Sequence, residues 1–195
     1  MGSIYTTASP DGKDQDCDGT VDEPEEIKAE TGLKYYLFLT MDNKYNGNLG
    51  GRYGADEKCN TDSNKPSECT SNAWAFISTD YNDEVRDIPA IKGINTSSQW
   101  YWKKGTNEKI VANNWDDLLN GTIANPASSV GYDWPYWTGS QFNGWLASTC
   151  NKFTDSGSGF GQVGHHLFAD SGWIDFGAGN CNEVRRIVCY CGVSP

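Results

Sequence analysis

Asp14-Gln15-Asp16-Cys17-Asp18-Gly19-Thr20-Val21-Asp22-Glu23-Pro24-Glu25 is the stretch whose residue types and spacing most directly specify chemistry. Carboxylates stand at positions 1, 3, 5, 9 and 12 of a twelve-residue loop, with glycine at 6 and valine at 8. Alternate side chains of a tight loop converge on one point, glycine permits the sharp turn, and the closing glutamate can bind through both oxygens. Asp14, Asp16, Asp18, Asp22 and Glu25, with the carbonyl of Thr20, thus form a hard oxygen set suited to Ca²⁺ rather than to zinc or copper. Residues 1–13 offer no helix ahead of the loop, so it reads as a lone structural site and not as a sensor hand.

The same segment explains the charge. The chain carries −11, and residues 11–30 hold nine acids against two lysines, which leaves −4 for the other 175 residues. No basic footprint is present for nucleic acid, whose binding depends on displacing counterions, so a nucleic-acid partner is excluded. No run of 18 apolar residues suggests a transmembrane span. Seven cysteines without a C-x-x-C pair point to an oxidising, exported location, and their odd number leaves one thiol unpaired or paired between molecules. Met1-Gly2-Ser3 reads as an expression start from which a natural export signal has been removed.

The elements that must position any site begin after the acidic segment. Residues 1–10 read as a disordered or tag-derived start, 11–30 as the calcium loop, and 31–195 as one domain. Lys34 to Thr40 is a bulky β-prone run and reads as the first strand. Asn46 to Gly51 is turn chemistry, and Gly54 to Cys59 reads as the start of a helix with acids in its first turn. Ala73 to Ser78 reads as a buried strand, and short strands are expected at 136–139, 144–146, 172–175 and 185–189. Residues 80–130 show no clear period. The expectation is a loop-rich α+β domain with few helices.

Two aromatic runs stand out, Trp100-Tyr101-Trp102 and Tyr132-Asp133-Trp134-Pro135-Tyr136-Trp137. Aromatic side chains give large contact area at low entropic cost, so Trp100, Trp102 and Trp134 are candidate ligand-binding residues, while Trp137 belongs to the core. His165-His166 makes a weak metal motif, because neighbours on a strand face opposite sides. No G-x-S-x-G elbow or Cys–His arrangement appears, and the reading is of a non-enzyme.

Cys59, Cys150, and Cys181 followed by seven residues and Cys189 occur in an order that resembles the C-type lectin-like fold, including its endostatin branch. Trp137-Thr138-Gly139 is similar to that family's W-I-G core strand, and Trp173-Ile174-Asp175 to its W-N-D motif. Tyr45 to Gly51 and Gly54 to Cys59 resemble the opening of the leptospiral endostatin-like (Len) surface proteins. The resemblance spans roughly residues 33–191. It implies short antiparallel strands, few helices and nested disulfides, Cys59–Cys189 and Cys150–Cys181. Cys17, Cys69 and Cys191 remain with their pairing open, and a bond from Cys17 to Cys69 or to Cys191 would tie the extension to the domain. The closeness of the termini in such domains favours Cys191.

The resemblance also implies a function class: a bacterial surface module, outer membrane-associated or secreted, whose partners are host extracellular-matrix or serum proteins. Glycan binding through exposed aromatics and a calcium-stiffened structural role are the alternatives. Lectin-type calcium chemistry is not expected. The ten residues between Gly139 and Cys150 contain no E-P-N or Q-P-D, Asn125-Pro126 lies upstream, and Ile174 replaces the asparagine ligand. Asp175 then has a structural hydrogen-bonding role. The acidic loop generates the first test: calorimetric titration of the intact chain with Ca²⁺ gives one site, and Glu25→Gln weakens it by about tenfold or more.

Overall fold

The computed structural model describes residues 33–41 and 44–193. The expected calcium-loop residues Asp14, Asp16, Asp18, Thr20, Asp22 and Glu25 lie outside the described residues, as does Cys17. The strands are β1 (Lys34–Leu39), β2 (Trp74–Ala75), β3 (Gln99–Lys104), β4 (Asn107–Ala112), β5 (Tyr136–Trp137), β6 (Phe160–Gly164), β7 (Gly177–Asn180) and β8 (Arg186–Val193). The helices are α1 (Gly51–Thr61), α2 (Ile88–Lys92) and α3 (Trp115–Leu118).

These strands form one mixed sheet in the order β4-β3-β1-β8-β5-β6-β7, with β2 also on β8. β8 is long enough to serve three partners. Val188 to Val193 runs antiparallel to β1, Cys189 and Tyr190 pair with β2, and Arg186 and Ile187 pair with β5. The sheet is not purely antiparallel, because β1–β3 and β5–β8 are parallel pairs. β1 is buried from Tyr35 to Leu39, as expected of a bulky run covered on both faces.

Several local readings change. α1 starts at Gly51, so Asp56 and Glu57 fall mid-helix and its first turn holds no acid. Residues 171–173 form a 3₁₀ turn and not a strand, because the Asp170 carboxylate accepts the Gly172 amide at 2.9 Å and folds the chain there. Residues 144–146 contribute only the isolated Ser140–Leu146 bridge beyond a turn at Gly144, whose φ is +81°. The unassigned stretch 80–130 contains α2, the β3–β4 hairpin and α3.

The core is aromatic. Trp100 stacks on Tyr35 at 4.7 Å, Phe76 contacts Trp100, Trp115, Trp173 and Tyr190 at 5.9–6.0 Å, and Trp102 meets Tyr136 and Trp173 at 6.2 and 6.4 Å. Gly139 of the W-T-G motif has φ +62°, and a Cβ there would lie 2.2 Å from the Ser78 carbonyl. Cys150 to Phe153 forms a left-handed turn with φ between +50° and +59° at four non-glycine residues. Each costs roughly 1–2 kcal/mol relative to right-handed backbone. The turn is held by the Cys150–Cys181 bridge, by Thr149 Oγ1 accepting the Lys152 amide at 3.1 Å, and by the fully buried Phe153. A Cβ on Gly47 would strike Cys150 Sγ at 2.5 Å, so glycine is required where the chain passes the bridge.

Disulfides join Cys59 to Cys189 and Cys150 to Cys181, the pairs implied by the resemblance. Cys69 joins Cys191, which corrects the expected tie from Cys17 to either residue. Cys189 and Cys191 are two apart on β8, so both point to the face where α1 and the loop after it lie. A Cys59→Ser/Cys189→Ser variant is expected to lose about 2–5 kcal/mol in denaturant unfolding, since its bridge closes the longest loop of the three.

Candidate functional site: an aromatic–histidine face

The aromatic candidates separate once the strand is in place. Trp100 and Trp102 are both 0 % exposed and cannot touch a ligand, which corrects their assignment to a binding surface. The cause is the two-residue period of β3, which sends both rings into the core. Trp134 remains 53 % exposed, in a left-handed conformation (φ +70°) just ahead of β5.

Trp134 stands at the rim of a larger surface that sequence reasoning did not find. β6 ends at Gly164, and residues 165–170 turn across the end of the sheet before the 3₁₀ turn. Backbone hydrogen bonds fix that loop: His165 N to Gly172 O at 3.0 Å, Ser128 N to His166 O at 2.9 Å and Ile123 N to Ala169 O at 2.7 Å. Because the strand has ended, the two histidines do not face opposite sides. Their rings stack at 4.5 Å with 21° between planes. His165 also meets Phe176 at 4.7 Å and Phe168 at 5.2 Å, and Phe168 meets Phe176 at 5.2 Å.

The face is well anchored and open to solvent. Phe176 is 51 % exposed and Leu167 61 %, while the Phe176 amide donates to Val163 O at 2.9 Å. Asp175, beside Phe176, accepts the Gln162 side-chain amide and the Phe142 backbone amide (3.2 Å), and so holds exposed Phe142 near the same edge. That is the structural role expected for Asp175. A soluble surface seldom keeps several large aromatics on fixed backbone unless they meet a partner.

Electrostatics favours neutral rings. His165 Nδ1 accepts the Leu167 amide at 3.3 Å, which places the proton of the neutral ring on Nε2. Burial among the aromatics holds His165 below the usual imidazole range. His166 is held low by burial first and then by the His165 ring, and Arg186 adds to this, against the pull of Asp133 and the Trp134 backbone. Among the described residues no group of three or more His, Cys, Asp or Glu is placed to hold a metal ion.

A disulfide-bonded α+β domain with an aromatic face on fixed loops is the class that this fold and site define. Residues 42–168 match a family described as a protein of unknown function, DUF1554. The match covers about two thirds of the sequence, and the chain belongs to that family. No curated protein matches it. The matched region takes in both histidines and Phe168 but stops short of Phe176.

The histidine pair sets a pH dependence. Unfolded histidine titrates near pH 6.5. The folded rings take protons only at lower pH, so between the two values the unfolded chain binds more protons and stability rises with pH. The melting temperature therefore falls from about pH 7 to about pH 5, and a His165→Gln/His166→Gln variant shows a flatter curve.

Proposed function

We propose that this chain is a non-enzymatic binding module of an exported bacterial protein, recognising protein partners through the aromatic–histidine face. The observation that carries the reading is the cluster of His165, His166, Phe168 and Phe176, fixed from below by backbone hydrogen bonds and bordered by exposed Leu167 and Trp134. Rigid aromatics lose little entropy on binding and form the energetic centre of many protein interfaces. Three disulfides are compatible with export, and no helix of the described residues is long and apolar enough to cross a membrane.

The resemblance to endostatin-like surface proteins points to host extracellular-matrix or serum proteins as the partner class. Within this reading Ca²⁺ at residues 14–25 has a structural role. The glycan alternative is weakened by the burial of Trp100 and Trp102.

The test is surface plasmon resonance against laminin, fibronectin and complement regulators. Saturable binding to at least one is expected, with Phe176→Ala and Trp134→Ala each weakening it by about tenfold or more. Lys109→Ala on the exposed edge of β4 serves as the control and leaves the affinity unchanged. Binding that ignores both aromatic substitutions, or no binding to any of these proteins, overturns the proposal.

A further inference from the structure

The turn that carries the aromatic–histidine face is closed by a titratable ring. Leu167 donates its amide to His165 Nδ1 at 3.3 Å, and Phe168 donates its amide to His165 O at 3.2 Å. A side chain that accepts the amide two residues on is ordinarily an Asn or Asp, as where Asn46 accepts the Asn48 amide and Asp170 the Gly172 amide. At residue 165 an imidazole takes that place. A carboxamide oxygen is an acceptor at any pH of interest, whereas Nδ1 accepts only while the ring is neutral. His166 Nδ1, in the ring stacked on His165, is buried and has no hydrogen-bond partner.

The surroundings do little to offset positive charge on the pair. Neither ring is paired with a carboxylate among the described residues. Asp133, ahead of β5, is the acid that faces His166, and it is already bonded at 2.7 Å to Arg186 of β8, whose own charge opposes protonation. Asp170 accepts the Gly172 amide in the 3₁₀ turn, and Asp175 accepts from the Gln162 side chain and the Phe142 amide. Lys104 of β3 donates to the Gly131 carbonyl at 2.5 Å, in the segment that leads to Asp133. Burial favours the neutral form of both rings.

We propose that His165 and His166 form an acid-operated latch: protonation opens the 165–168 turn and takes Leu167 and Phe168 out of the aromatic face, so that the face holds a partner near neutral pH and releases it in acid. A proton on His165 Nδ1 occupies the lone pair that the Leu167 amide uses, and two N–H donors then point at each other. A proton on His166 Nδ1 creates a buried donor with no acceptor. Two charged rings stacked at 4.5 Å also repel. The backbone bonds of His165 N to Gly172 O, Ser128 N to His166 O and Ile123 N to Ala169 O hold both ends of the loop, so the movement is confined to Leu167 and Phe168. Phe168 then leaves Phe176, which it meets at 5.2 Å in the closed turn. The opening belongs to the loop alone. Its effect on binding rests on the reading of this face as the partner surface.

The experiment is an NMR titration of the intact ¹⁵N-labelled chain from about pH 7.5 to about pH 4.5, with ring protonation followed at the histidine carbon-bound protons. As the rings titrate, the backbone order parameters of Leu167 and Phe168 are expected to fall from about 0.85 to below about 0.6, and the Phe168–Phe176 ring contacts to vanish from the NOE spectrum. The amides of β8 stay rigid throughout. His165→Asn supplies an acceptor that does not titrate, so its Leu167 amide stays ordered in acid. Order retained at Leu167 and Phe168 after the rings are protonated, rings still neutral at the acid limit, simultaneous loss of the β8 amides, or the same acid response in His165→Asn each overturns the proposal. The wild-type titration decides by itself if the variant does not fold. In the resonance assay, any matrix or serum protein that binds is expected to lose about tenfold or more in affinity between about pH 7.4 and about pH 5.5, and less with His165→Asn. Equal affinity at both pH values overturns the regulation. Absence of binding to all of them overturns the partner reading instead, and the loop titration, which needs no partner, still decides the latch.

Discussion

β8 is the constraint on which the rest of the domain depends. Its residues bond to β1 on one side and to β2 and β5 on the other, so the two ends of the described chain and its middle meet on one strand. The same strand carries Cys189 and Cys191, which fix α1 and the following loop, and Arg186, which fixes the other flank. The nearly buried Arg186 guanidinium donates to the carbonyls of Thr40 and Met41, to Asp133 O at 3.2 Å and to Asp133 Oδ1 at 2.7 Å. Hydrogen bonds, two covalent bridges and one satisfied buried charge thus converge on eight residues. A domain with only short helices gains much from such concentration, because long-range crosslinks restrict its unfolded chain.

That concentration frees the opposite end of the sheet to present loops. β5 and β7 are only two and four residues long, and β6 stops at Gly164. The loop after β6 is held by backbone bonds to residues 123, 128 and 172. The aromatic residues consequently divide into two populations. Trp100, Trp102, Trp137 and Trp173 build the core, while Trp134, Phe142 and Phe176 stand on fixed backbone at the surface. The histidine pair lies between them, half-buried and favoured in its neutral form.

Much of the framework is legible in the residues themselves. The bulky run at 34–39 and the apolar run after Arg186 read as strands because each is buried along most of its length. The hairpin at 99–112 is harder to see, since β4 is an edge strand whose exposure alternates with charged and polar residues. Trp100 and Trp102 share one side of β3 by simple alternation. Which side is buried depends on β1 lying next to β3, a parallel neighbour 65 residues earlier in register. His165-His166 misleads in a different way. Alternation applies only while the strand continues, and β6 ends one residue before the pair. Nothing in the isolated positions of Phe168 and Phe176 signals their contact, which requires β6, the 3₁₀ turn and β7 to double back together.

Local chemistry and spacing alone determined a disulfide-bonded α+β domain, from the cysteines and the short β-prone runs, and they predict a calcium-type loop from the carboxylate pattern of residues 14–25. Tertiary structure decided which groups meet. Cys69 finds Cys191, two tryptophans disappear into the core, and two histidines stack. The physical reason is the range of the interactions. Ligand loops and strand periods depend on neighbours within a few residues, whereas burial and ring contact depend on partners brought together by long-range pairing across the sheet.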